Sequence, residues 1–285
     1  MRLHRYTRKV KNMMESAFLS PKVSPSVFDN RPKILAGPNR DYTKFIILAH
    51  QRSGSSLVIS SLRKHPQVVG FGELFVSGRI GFNIEGYDNH SKVLHQARKT
   101  FPAEFLNRYI FSSYLEEKRA VGFKLFPNQL DNHHFRCVWD WIQQNRDIAV
   151  VFLSRQNHLA AYTSLLIARK TKVYGITDES QRPSTKVTIN KEKCLSEFRE
   201  RDILKAAARK RIANHRVMDI TYEELNEDPI SVILRTQEFL GIDKVQPKIT
   251  SIKKELRPLS EVITNYHELR QQFAETIWAH YFDEK

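Results

Sequence analysis

From residue 45 the chain alternates short, largely apolar segments with stretches of helical periodicity. This alternation constrains its fold more than any other feature. The apolar segments fall at 45–49, 68–71, 120–126, 148–154 and 216–221, each of strand length. Helical spacing is read at 55–64, 101–117, 134–144, 158–170, 191–213 and 230–240. A strand that is apolar on both faces must be covered on both. The pattern therefore predicts an α/β domain with a central parallel sheet flanked by helices. A chain of 285 residues is long enough for one large domain of this kind, assigned here to residues 44–285. Residues 1–43 carry Pro21, Pro25, Pro32 and Pro38 with little periodicity beyond a short helix expected near 10–18, and read as a basic N-terminal arm. Residues 171–190 read as a long polar loop.

The formal net charge is +15, which raises the question of a polyanionic partner. Its distribution answers better than its sum. Residues 1–44 hold 10 basic and 3 acidic side chains, and residues 155–211 hold 14 and 6. The C-terminal stretch 212–285 is net acidic, with 9 and 13. Two clusters, rather than a uniform coat, are what must be explained. No helix-turn-helix, RNA-recognition or zinc signature accompanies them, which argues against nucleic acid. The arm suits peripheral contact with an anionic membrane. Cys137 and Cys194 form no CxxC pair and no disulfide framework, which fits a reducing, cytoplasmic setting. The longest apolar runs fall far short of the ~18 residues of a membrane span, and the basic N-terminus lacks the apolar core of a signal peptide.

The segment 45–49 runs into HQRSGSS (50–56) and then into the periodic LVISSLRKH. This is a strand, a tight loop and a helix N-terminus. Gly54 lets the backbone approach an anion, Ser53, Ser55 and Ser56 supply hydroxyls beside free helix N–H groups, and Arg52 adds a planar cationic fork. A plain serine-capped turn would look much the same, and the Walker A pattern GxxxxGK[ST] is absent. A P-loop kinase would also need a loop lysine and a magnesium-binding acid, and neither is in register.

The longer segment 52–74, RSGSSLVISSLRKHPQVVGFGEL, resembles the sulfotransferases that use 3′-phosphoadenosine 5′-phosphosulfate (PAPS), in particular the bacterial carbohydrate and lipid type related to nodulation-factor sulfotransferases. The resemblance implies a P-loop-NTPase-like sulfotransferase fold. It also implies that Arg52, Ser53, Gly54, Ser55 and Ser56 form the 5′-phosphosulfate loop. Further on, RQNHLAAYTSLLIARKT (155–171) is similar to the family's 3′-phosphate segment, which assigns Arg155 and Ser164, in preference to Thr163, to that phosphate. Residues 220–242 resemble the family's strand, acidic turn and penultimate helix, and 249–269 the segment that closes over the nucleotide, with Lys253, Lys254 and Arg257 as candidate contacts. The C-terminal RKGxxGxWK pattern of the cytosolic branch is absent.

Sulfuryl transfer moves SO₃ from a phosphosulfate anhydride to an acceptor, here expected to be a hydroxyl of a carbohydrate, glycolipid or other small molecule, and releases 3′-phosphoadenosine 5′-phosphate (PAP). By analogy with phosphoryl transfer, positioning and charge stabilisation dominate. No metal is demanded, and no set of side chains has convincing ligand spacing. An acceptor hydroxyl must lose its proton, and Glu73, at the carboxyl end of the second strand and matching the family's Gly-Glu, is the first candidate base. His133 and His134 are the alternatives. Lys124 interrupts the apolar strand AVGFKLF, and a lysine is rarely buried without a partner. It is expected either to stabilise sulfuryl or acceptor charge or to pair with a structural carboxylate. Residues 77–118 and 171–200 are expected to form the acceptor pocket, with Tyr87, His90, Tyr174 and Arg182 as lining candidates.

Overall fold

A computed structural model describes residues 23–249 and 257–283. The five expected strands are present as β1 (Thr43–Ala49), β2 (Val68–Glu73), β3 (Ala120–Leu125), β4 (Ala149–Ser154) and β5 (Val217–Thr221), all paired in parallel. Their order across the sheet is β2-β3-β1-β4-β5. β1 therefore lies between β3 and β4, and the chain leaves it first toward one edge and later toward the other. Such a switch point opens a crevice at the carboxyl ends of the strands.

The main helices are α1 (Ser55–Arg63), α2 (Lys92–Thr100), α3 (Cys137–Gln144), α4 (His158–Thr171), α5 (Lys191–Arg211), α6 (Tyr222–Glu227), α7 (Pro229–Leu240) and α8 (Tyr266–Phe273). Alternate strand residues serve opposite layers. Ile46, Leu48, Phe123, Val150 and Phe152 face the layer that contains α2 and α3. Phe45, Ile47, Ala49, Val151 and Leu153 face α1, α6 and α7. A separate cluster, with Leu159, Phe198 and Phe273, joins α4, α5 and α8. β1 to β4 are thus buried on both sides, as their apolar runs required, whereas the edge strand β5 is buried only at Ile220 and exposes Asp219.

Three differences from the sequence reading have local causes. The helix expected over 101–117 is only a turn at Pro102–Glu104 followed by a π-helix at Phe105–Ile110. Its wider winding sets Phe105 and Tyr109 in a stack, with ring centroids 5.8 Å apart, against Phe28. The helix expected from 134 begins at Cys137, because the Asn132 side chain accepts from the His134 N–H and closes a turn instead. α2 was missed although Ser91 caps it, since Arg98 occupies a core position of its period. That guanidinium donates to the carbonyls of Leu74, Val76 and Arg79, where the pattern called for an apolar residue.

The segment 23–43, read as part of an arm, packs onto the domain. Phe28 is 1% exposed in the main core, Arg108 binds the Asp29 carboxylate through two 2.7 Å contacts, and Asn39 bridges to Tyr114. One aromatic anchor among the prolines suffices to dock it. The short helix expected near 10–18 lies outside the described residues. Among the described residues, no helix is long and apolar enough to cross a membrane.

Candidate active site

The loop after β1 turns sharply enough that two residues adopt left-handed backbone, Arg52 at φ 69° and Gly54 at φ 88°. Three successive carbonyls on its outer side are each held. The Ser53 hydroxyl donates to the His50 carbonyl at 2.6 Å, Arg201 of α5 to that of Gln51 at 3.2 Å, and Arg155 to that of Arg52 at 3.1 Å. The N–H groups that open α1 start a helix and so lack the carbonyl of a preceding turn, while the Gly54 carbonyl accepts from those of Leu57 and Val58. Gly54 is required on two counts: a Cβ there would sit at an unfavourable φ and 2.7 Å from Leu225.

The cations of the predicted nucleotide segments converge on this loop. Arg52 donates from Nε to the Ser164 hydroxyl at 3.1 Å and from a terminal nitrogen to the Tyr174 carbonyl at 2.6 Å. Arg155, at the end of β4, stacks over the Tyr222 ring with its Cζ 4.0 Å from the centroid, while its Nε is buried without a partner. Burial lowers the pKa of both guanidinium groups from the usual arginine value. Among the described residues neither guanidinium forms an ion pair with a carboxylate, although Glu223 acts on Arg155 from a distance. Thr163 is turned into the core, so Ser164 is the hydroxyl that reaches the loop. Arg257 donates to the Thr185 carbonyl, well along the chain from these groups, and Lys253 and Lys254 lie outside the described residues.

The second half of the site is made by the β2–β3 pair. Phe71 pairs with Phe123, but the next partner of Lys124 is Glu73, because Gly72 is an extra residue in a bulge. Without that bulge, Glu73 would fall on the opposite face of the sheet. Gly72 makes it possible by close approach, since a Cβ there would lie 2.4 Å from the Asn83 side chain and 2.6 Å from the Gly81 carbonyl. The consequence is an ion pair between the Lys124 ammonium and Glu73 Oε1 at 3.0 Å. The same ammonium donates to the Ser56 hydroxyl at 3.1 Å, which ties the carboxylate to the anion loop. Burial lowers the Lys124 pKa, and Glu73 offsets only part of that effect.

Lys124 thus pairs with a carboxylate, one of the two outcomes foreseen for it, and that carboxylate is the candidate base. His133 and His134 lie with their rings 3.9 Å apart at the start of the following turn. Their recorded contacts are with each other and with neighbouring residues of that turn, not with Glu73 or Lys124. Tyr87 is buried in the aromatic core, which removes it as a lining residue, whereas Tyr174 is exposed beside Arg52. His90 is exposed with its N–H on Asp88, and Arg182 pairs with Glu179. The sequence reading missed Arg201, Tyr222 and Gln129, whose amide donates to Glu73 Oε2 at 2.8 Å. Arg201 had a signal in its core spacing with Cys194 and Phe198, but only the fold shows that it reaches Gln51.

A family model described as the Sulfotransferase family matches residues 44–247, well over half of the chain. The chain belongs to the sulfotransferase family. Its activity class is therefore sulfuryl transfer. Two curated relatives are Nodulation protein H of Rhizobium meliloti (strain 1021), 26% identical over 249 residues spanning 84% of this chain and 94% of that protein, and Nodulation protein H of Rhizobium tropici, 24% identical over 243 residues spanning 84% and 92%. Among solved structures, a sulfotransferase from Alicyclobacillus acidocaldarius is 17% identical, with 81% of this chain and 91% of that chain covered and a TM-score of 0.43. The mouse sulfotransferase SULT7A1 complexed with PAP is 15% identical, with 93% and 78% covered and a TM-score of 0.38.

Proposed function

We propose that this sulfotransferase uses PAPS as donor and transfers its sulfuryl group to a hydroxyl of a carbohydrate, glycolipid or similar small acceptor, releasing PAP. The observation that carries this reading is the continuous chain from Glu73 through Lys124 to Ser56, with links of 3.0 and 3.1 Å. It joins a carboxylate able to take a proton to a loop able to hold a phosphate.

In this reading Arg52 and the backbone of Ser53, Gly54, Ser55 and Ser56 hold the 5′-phosphosulfate, and Arg155 with Ser164 holds the 3′-phosphate. Glu73 removes the proton from the acceptor hydroxyl as its oxygen forms a bond to sulfur. The bond between sulfur and the 5′-phosphate oxygen breaks in line with it, and the electron pair leaves on PAP. Protonation of Glu73 removes the charge that the Lys124 ammonium was balancing. That ammonium is then free to stabilise negative charge on the sulfuryl or leaving oxygen, a contribution confined to the transition state. In the basic cluster of 155–211, Arg155 would serve a small polyanion, whereas the Arg201 charge is already paired with Glu197 at 2.8 Å.

Isothermal titration calorimetry with PAP, ATP and AMP tests the donor assignment. PAP is expected to bind more tightly than either; an equal or stronger preference for ATP would overturn it.

A further inference from the structure

We infer that Gln129 is a positioning residue for this reaction, fixing the orientation of the Glu73 carboxylate. The inference rests on the reading of Glu73 as the base. Gln129 lies in the 3₁₀ turn Pro127–Asp131, directly after β3, so the strand that carries Lys124 also delivers the second partner of Glu73.

The direction of its amide follows from its surroundings. Gln129 Oε1 accepts from the backbone N–H of Phe126 at 3.2 Å. An N–H cannot be satisfied by an NH₂ group, so the oxygen is fixed on that side and Nε2 is left to face Glu73. The 2.8 Å contact with Glu73 Oε2 is therefore a donated hydrogen bond. Both carboxylate oxygens are then held, one by an ammonium and one by a neutral amide, while about a quarter of the side chain stays open to the crevice.

This asymmetry has a chemical use. The oxygen held by the ammonium has the more strongly stabilised charge, so the proton of an acceptor goes more readily to the amide-held Oε2. Gln129 keeps that oxygen in place without the full electrostatic cost that a second cation would impose on its basicity. The other charged groups around the pair are Arg52 of the loop and Arg63 of α1, which both act on Lys124, and neither is altered in the test below.

The test compares Gln129→Glu and Gln129→Leu with the parent enzyme. Gln129→Glu keeps an acceptor for the Phe126 N–H, and so preserves the turn, but replaces the donor with an anion. The Glu73 carboxyl is followed against pH by ¹³C NMR, its resonance being assigned by its loss in Glu73→Gln. Its resonance is expected to move in both variants, because Oε2 loses its donor in Gln129→Leu and faces a second carboxylate in Gln129→Glu. The kcat for transfer of radiolabelled sulfate from PAPS to whichever of glucose, galactose and p-nitrophenol the parent sulfates fastest is expected to fall on the order of tenfold to a hundredfold, with the acceptor KM little changed. PAP affinity should not change. A parent-like kcat, or a Glu73 resonance unmoved in both variants, would overturn the role of Gln129. Full activity in Glu73→Gln would instead overturn the base assignment, whatever the Gln129 variants do.

Discussion

Replacing Lys124 with methionine separates what this residue does for the fold from what it does for the reaction. The ammonium and Glu73 Oε1 are 3.0 Å apart, and the lysine side chain is 8% exposed. At an effective dielectric of about 20 their gross attraction is roughly 5 kcal/mol. Removing an ammonium from water costs several kcal/mol in the other direction. Burial is the larger of the two influences on Lys124, because its pKa is lowered despite the carboxylate beside it. The folded protein thus holds this proton less firmly than the unfolded chain does, and the charge adds nothing to stability. Methionine has nearly the same length, can pack beside the Phe126 ring where the ammonium now sits 5.2 Å from the centroid, and leaves Glu73 with its hydrogen bond from Gln129. Unfolding of Lys124→Met in urea should differ from the parent by no more than about 1–2 kcal/mol, or about 4 °C in melting temperature. Turnover should fall about 10²- to 10³-fold, the loss typical when one preorganised charge is taken from a transition state. The sign of the pH dependence is a second check. Between the lowered folded pKa and the ordinary lysine value the unfolded chain binds more protons, so the parent should gain stability relative to Lys124→Met as pH rises through that window. A loss of about 4 kcal/mol or more on substitution would mean that the ion pair holds the fold. Unchanged turnover would remove Lys124 from the chemistry.

Gly54→Ala should cost about 1–3 kcal/mol, from a non-glycine residue at φ 88° and a Cβ 2.7 Å from Leu225, and should weaken PAP binding; parent-like urea curves and calorimetry would contradict the account of the loop. Arg201→Met frees the Gln51 carbonyl and should lower PAP affinity on the order of tenfold, so unchanged binding would detach α5 from the loop. His50 and His158 are both held at a pKa of about 4, first by burial and then by nearby charges that for both include Arg201 and Lys205. From pH 6.5 down to about 4 the unfolded chain takes up protons that the folded one refuses, so stability should fall by up to about 1.4 kcal/mol per pH unit for each histidine. Melting temperatures of the parent and His158→Phe between pH 7 and 5 check this: the variant should fall less steeply, and equal slopes would count against it.

Short, largely apolar runs alternating with helical periods were enough to predict a parallel sheet covered on both faces, because a strand apolar on both sides must be covered on both. The anion loop was equally legible, since a strand, a Gly-Ser turn and a helix start are contiguous in the chain. Arg155 and Ser164 were singled out by the resemblance of 155–171 to a family segment, and Lys124 by its intrusion into an apolar strand. The partnership of these residues was not legible. Glu73 meets Lys124 only because Gly72 shifts the register by one residue, and a bulge depends on how closely another segment, here Gly81 and Asn83, can approach. Gln129 and Arg201 act across the fold on groups 56 and 150 residues away, and Arg98 fills a core position that periodicity reserves for an apolar side chain. Local sequence determined which elements form and where an anion can sit, because those depend on neighbours along the chain. Tertiary structure decided which side chains meet there, because burial, register and carbonyl capture depend on neighbours in space.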